Sequence, residues 1–149
     1  KGIDDVRQFA GVSEYPVYTV GVADSDHPRI RSLGRVDQHT LAELYSGAVA
    51  TIHPAKFEAF GNVILESLSC GTPAVISEHC GAKELAGSPE VVVTEDLRTG
   101  IETAKQARPS RCTDVAERHS WERVASKTIE VFRLVCSRGR PNPTDETHC

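Results

Sequence analysis

The stretch from Ala48 to Glu66 reads AVATIHPAKFEAFGNVILE, and its reading decides how the rest of the chain is arranged. Ala48 to His53 is a short apolar run ended by Pro54, the pattern of a buried strand. Val63, Ile64 and Leu68 then recur at helical spacing, which predicts a helix from about Gly61 to Cys70. Between the two lies a strand-to-helix loop, Phe57 to Gly61, that carries Glu58. In an open α/β sheet ligands bind at such a carboxyl end, because the next helix presents its unpaired N–H groups and positive dipole end there. On the helix, Asn62, Glu66, Ser69 and Cys70 fall on one side and Phe60, Ile64 and Leu68 on another. A carboxylate at Glu66 can accept two hydroxyl hydrogen bonds from a vicinal diol such as a ribose. Glu58 stands at the other end of the same ligand, and Gly61 lets the backbone N–H groups near it and Asn62 approach a phosphate or sugar. Either acid alone also reads as a solvated carboxylate near a helix start, where negative charge is favoured anyway. Together with Phe57, Phe60, Gly61 and the turn Cys70-Gly71-Thr72-Pro73, the pair is more specific.

Upstream of this stretch, Ile3, Val6 and Phe9 suit a helix stopped by Gly11, and Val17 to Val22 is a β-rich run. Ile30 to Leu33 is a second short strand broken at Gly34, after which Asp37 caps a helix with the stripe Leu41, Leu44 and Tyr45. Downstream, Ala74 to Ser77 is a fourth strand, a short helical stretch runs to Leu85, and Val91 to Val93 is a fifth strand. Thr94 or Asp96 caps a helix that Pro109 is expected to stop. Ser120 caps an amphipathic helix through Cys136, whose Trp121 and Phe132 are expected to be core. Short strands alternating with helices imply a parallel sheet with helices on both faces, since parallel strands need long crossovers. The expected class is α/β, Rossmann-like, over residues 1–137, with a disordered tail at 138–149. No G-x-G-x-x-G fingerprint supports a nicotinamide or flavin.

Composition narrows the partners. The net charge of −4 and the lack of a basic cluster give no electrostatic reason for nucleic acid. No segment has the apolar length of a membrane span, and the opening residues are not expected to act as a signal sequence. Cys70, Cys80, Cys112, Cys136 and Cys149 are scattered without a C-x-x-C pair, which fits reduced thiols in a cytoplasmic protein. His79 beside Cys80 and His148 beside Cys149 lack third and fourth ligands, so no metal is expected. The chain opens at Lys1 and contains no Met, and is expected to be a piece of something longer.

The segment Lys56 to Val75, KFEAFGNVILESLSCGTPAV, resembles the E-x7-E hallmark of the retaining nucleotide-sugar glycosyltransferases of the GT-B fold, family 4, also called glycosyl transferases group 1. Lys1-Gly2-Ile3-Asp4, Ser32 to Val36 with Leu41 to Tyr45, Gly81 to Leu85, and His119 to Glu122 are similar to further motifs of that family, so the resemblance runs to about Ser137. It departs from the pattern at Cys80, where a small residue is usual, and at Lys83, where Pro is frequent.

The resemblance implies the donor-binding C-terminal half of a GT-B enzyme, with the first strand and the acceptor-binding N-terminal domain lying before Lys1. Glu58 would contact hydroxyls of the transferred sugar and Glu66 the ribose. Phe60, Gly61 and Asn62 would lend backbone contacts to sugar and diphosphate, Gly34, Arg35 and Val36 would border the nucleobase, and Lys1 would stabilise the diphosphate leaving group. The implied donor is a nucleotide-diphosphate sugar and the implied acceptor a carbohydrate or lipid-linked molecule held by the other half, through which peripheral membrane association is open. No metal or other cofactor is implied. The chain by itself is expected to bind donor without completing a transfer. The alternative is a non-catalytic nucleotide-sugar-binding module, or a truncated fragment needing a separate acceptor-binding chain.

Overall fold

The strands are short, and the apolar ones can be buried only if helices cover both of their faces. The computed structural model describes residues 2–22, 27–87 and 89–138. Lys1 and most of the tail expected at 138–149 lie outside them. Val17–Thr19 (β1) pairs in parallel with Ile30–Ser32 (β2). Thr51–His53 (β3), Ala74–Ile76 (β4) and Val91–Val93 (β5) form a second parallel sheet in that order. The α/β class and parallel pairing follow the sequence pattern, but the ladder comes in two pieces, β1-β2 and β3-β4-β5, with no pairing between them among the described residues.

Helices Ile3–Val12 (α1), Gln38–Gly47 (α2), Asn62–Ser69 (α3), Leu97–Ala104 (α4) and Pro109–Glu117 (α5) join or follow the strands, with a 3-10 turn at Gly81–Leu85. Strand alternation sorts their packing. Ala74, Ile76 and Val91 face a cluster with Ile64 and Leu68 of α3 and Cys112 and Ala116 of α5. Val75 faces the opposite cluster, with Val6, Phe9 and Ala10 of α1 and Leu97, Ile101 and Ala104 of α4. That second cluster also holds Val17 of β1 and Ile30 of β2, so α1 and α4 pack in the same core as both sheets.

Local chemistry sets the helix ends. The Asp37 carboxylate accepts from the Thr40 backbone N–H at 2.8 Å and starts α2. That bond and one from the Thr40 hydroxyl hold the Asp37 carboxyl below its ordinary value. Of the two caps expected for α4, Asp96 takes the role, accepting from Arg98 N–H at 3.0 Å, while Thr94 accepts from the Asp96 N–H. Pro109 departs from expectation. It ends one helical pattern but also begins α5, since a missing N–H costs nothing at the first helical position.

The chain divides into two compact units, Lys1–Glu117 and Arg118–Cys149. The described part of the second is Trp121–Arg138 (α6) with the short segment before it. Trp121 and Phe132, expected to be core, are 76% and 64% exposed. A lone amphipathic helix has no second layer of its own on which to bury an apolar stripe.

Candidate functional site

β3 ends at His53, and Pro54, which has no N–H, takes the chain out of the ladder. The loop that follows is irregular, yet it is fixed by the loop after β4. The Glu58 N–H donates to the His79 carbonyl at 3.1 Å, and the Glu58 carbonyl accepts from the Gly81 N–H at 2.9 Å. Ala82 N–H donates to the Phe60 carbonyl at 2.8 Å, and the Cys80 thiol to the same oxygen at 3.3 Å. Glu58 and Cys80 are thus bridged in parallel outside any strand. The two backbones lie so close that a Cβ on Gly81 would overlap the Ala59 carbonyl oxygen.

Gly61 turns the loop into α3 at φ +91°, a conformation that costs a residue with a Cβ. A Cβ there would also come within 3.2 Å of Cys80 Sγ and 3.3 Å of Glu58 Cγ. Glu58, Gly61 and Cys80 therefore form one tight group, with Asn62 the first residue of α3 beside it. Burial, and secondarily the nearby Glu58 carboxylate, push the Cys80 thiol up from its ordinary value, so Cys80 stays protonated and packs as a small apolar side chain. Among the described residues no group of three His, Cys, Asp or Glu is placed to hold a metal ion.

Glu66 lies one turn further on. The helix buries Ile64, Ser67 and Leu68 and leaves Asn62 and Glu66 exposed, as the sequence pattern requires. The Tyr45 hydroxyl of α2 reaches Glu66 Oε2 at 3.5 Å, a long hydrogen bond. Burial, and then the Glu66 charge, push the Tyr45 phenol up to about 12.

The remaining candidates are spread over other loops. Gly34 is a turn at the carboxyl end of β2, its carbonyl accepting from the Gly21 N–H at 2.7 Å, with Arg35 exposed and Val36 partly buried after it. Lys1 lies outside the described residues. Its neighbour Gly2 packs against the Pro54 carbonyl, so α1 starts beside the carboxyl end of β3. The sequence reading also passed over His53. Its imidazole Nε2 stands 3.8 Å from Glu58 Oε2, the two side chains 28% and 38% exposed. An apolar strand ending in a histidine immediately before a proline was the available signal, but the facing carboxylate is set by the loop and not by spacing.

The unit is a parallel α/β domain whose loop after β3 carries one acid, Glu58, and a glycine turn at Gly61, and whose next helix carries the second acid, Glu66. The glycosyl transferases group 1 family matches residues 27–106, and the chain belongs to that family. It is similar to the O-antigen chain mannosyltransferase B of Escherichia coli, 29% identical over 116 residues that cover 71% of this chain and 30% of that protein. It is also similar to the GDP-mannose-dependent alpha-(1-6)-phosphatidylinositol dimannoside mannosyltransferase of Mycobacterium tuberculosis, 28% identical over 119 residues, 74% of this chain and 31% of that protein. The chain spans less than a third of the length of these two curated relatives. It shares its fold with the structure of sucrose-phosphate synthase from Thermosynechococcus elongatus, with a TM-score of 0.66 at 22% identity, covering 93% of this chain and 43% of that one. Among the described residues no helix is long and apolar enough to cross a membrane.

Proposed function

We propose that this chain is the donor-binding half of a retaining glycosyltransferase that moves a sugar from a nucleotide-diphosphate sugar to a glycan, lipid or small-molecule acceptor. Family membership supports a transferase. The observation that carries the donor reading is the seam from Glu58 through Gly61 to Glu66, a carboxylate clamped in a loop and another on the helix that starts from it.

In this reading Glu66 accepts the ribose hydroxyls, and the backbone N–H groups of Asn62 and Val63 at the start of α3 face the diphosphate. Glu58 accepts hydroxyls of the transferred sugar, Phe60, Gly61 and Asn62 line the sugar and diphosphate, and Gly34, Arg35 and Val36 border the base. Lys1 stabilises charge on the leaving diphosphate. The bond from the anomeric carbon to phosphate breaks as the acceptor oxygen bonds to the same face, and the acceptor's proton passes to the departing phosphate oxygen. The acceptor is held by a further half that the relatives' greater length leaves room for, and the reaction takes place in the cytoplasm. The transfer uses no metal or other cofactor, so EDTA leaves donor binding unchanged.

A thermal-shift panel of UDP-, GDP- and ADP-sugars tests the reading, because a ligand of the native state raises its melting temperature with occupancy. One class of nucleotide sugar should stabilise the chain, and Glu66→Lys should abolish the shift. A full shift retained by Glu66→Lys would remove Glu66 from the ribose site.

A further inference from the structure

We infer that His53 is a positioning residue for the donor's sugar end, holding the Glu58 carboxylate so that one of its oxygens stays directed at the sugar hydroxyls. The inference rests on the donor reading above and adds a residue to which that reading gives no role.

Alternation along β3 decides where the imidazole stands. Ile52 packs with the α1 and α4 cluster, whereas the Thr51 hydroxyl meets the Ser67 hydroxyl of α3 at 2.7 Å. His53, two positions beyond Thr51, therefore falls on the α3 face, the face that carries Gly61 and Glu58. Its main chain is fixed as well, because its carbonyl accepts from Ala55 N–H at 2.9 Å and from Ser77 N–H at 3.4 Å. The imidazole thus projects from a backbone tied to β4 on one side and to the turn at Pro54 on the other.

The Glu58 backbone is held in the same way, between the His79 carbonyl and the Gly81 N–H. The Glu58 side chain is not held by those backbone bonds, and the His53 Nε2 faces its carboxylate at 3.8 Å. In this role the facing Nε2 carries the proton, because a nitrogen lone pair and a carboxylate oxygen would repel. Its partner is Oε2. Oε1 is then the oxygen left for a ligand hydroxyl, and a carboxylate already oriented loses less freedom when the ligand arrives. At 3.8 Å the pair is not yet a hydrogen bond, which fits a site that tightens around its ligand. Both side chains are partly shielded from water, where such an interaction is screened less than at an open surface.

The test compares two affinities measured by calorimetry on the full 149-residue chain. UDP-glucose, GDP-mannose and ADP-glucose are each titrated beside UDP, GDP and ADP, and the ratio of sugar-nucleotide to nucleotide affinity isolates the sugar end. His53→Leu should lower that ratio about ten-fold while nucleoside diphosphate affinity holds, the size expected of one lost hydrogen bond to a charged group. His53→Gln, whose amide N–H lies near the position of Nε2, should restore the ratio to within about three-fold of the parent. An unchanged ratio in His53→Leu overturns the inference. So does an equal loss of both affinities, which would mark His53 as a structural residue of β3. If the unaltered chain binds none of the nucleoside diphosphates, the donor reading itself falls. If it binds them and Glu58→Gln leaves the ratio intact, the role given to Glu58 falls and that of His53 with it.

Discussion

The two acids of the site, eight positions apart, are held by different means. Glu58 sits in a loop without regular structure, and its place depends on hydrogen bonds to His79 and Gly81, more than twenty positions away. Glu66 sits on α3, and its place follows from the neighbouring Ile64 and Leu68, both completely buried. The first acid is positioned by contact between two backbones and the second by burial of a helix face. The loop end should therefore be sensitive to the addition of a single methyl group, and the helix end to the removal of apolar volume.

The largest expected effects separate these two supports. Ile64→Ala removes a fully buried side chain beneath Glu66 and should cost about 3 kcal/mol, by lost transfer energy and an incompletely filled cavity. Urea unfolding measures it through the midpoint at constant slope. Gly81→Ala adds one carbon where the Ala59 carbonyl already sits, and should cost about 2 kcal/mol by forcing the two loops apart. The same titration measures it, and an unaltered midpoint would mean that the loops are not packed backbone to backbone.

That contrast also explains what was legible in the sequence. The Asp37 cap, the buried face of α3 and the strands are local patterns, and the structure has all of them. Helix α5 was hidden because its buried residues, Cys112 and Ala116, are small and give a weak stripe, and because Pro109 reads as a stop as readily as a start. The Glu58 to Cys80 bridge, the His53 to Glu58 pair and the Tyr45 to Glu66 contact join residues through space, and no periodicity encodes which loops touch. The exposed stripe of α6 is the converse case. Its period is clear from Trp121 to Phe132, but period alone reports a helix with an apolar face, not what covers that face.

Ligand affinity sharpens the comparison at the next level of magnitude. If the acids hold opposite ends of one donor, Glu66→Gln should weaken nucleoside diphosphate and nucleotide sugar alike, by about ten-fold, as expected when a charged acceptor becomes a neutral one. Glu58→Gln should leave the nucleoside diphosphate untouched and lower only the nucleotide-sugar affinity, by a similar factor. Calorimetry with each ligand separates the cases. Equal losses in both variants for both ligands would mean that the two acids serve the same end of the ligand.

The smallest expected effect concerns the Tyr45 support of Glu66. The phenol is pushed up from its ordinary 10.0 to about 12, so in the folded chain its neutral form is favoured over the phenolate. A raised value contributes stability that is complete below pH 10 and is lost as pH rises through 12, because the unfolded chain releases the phenolic proton first. Tyr45→Phe cannot release that proton. The stability of the parent relative to Tyr45→Phe should therefore be constant up to about pH 10 and decline between 10 and 12, read as the difference between their urea midpoints. At neutral pH the variant should lose only the 3.5 Å contact to Glu66, and nucleoside diphosphate affinity should change by less than about three-fold. A larger loss would show that Glu66, like Glu58, depends on a contact with a residue distant in sequence, and the distinction between the two ends of the site would then rest on whether backbone or side chain makes that contact.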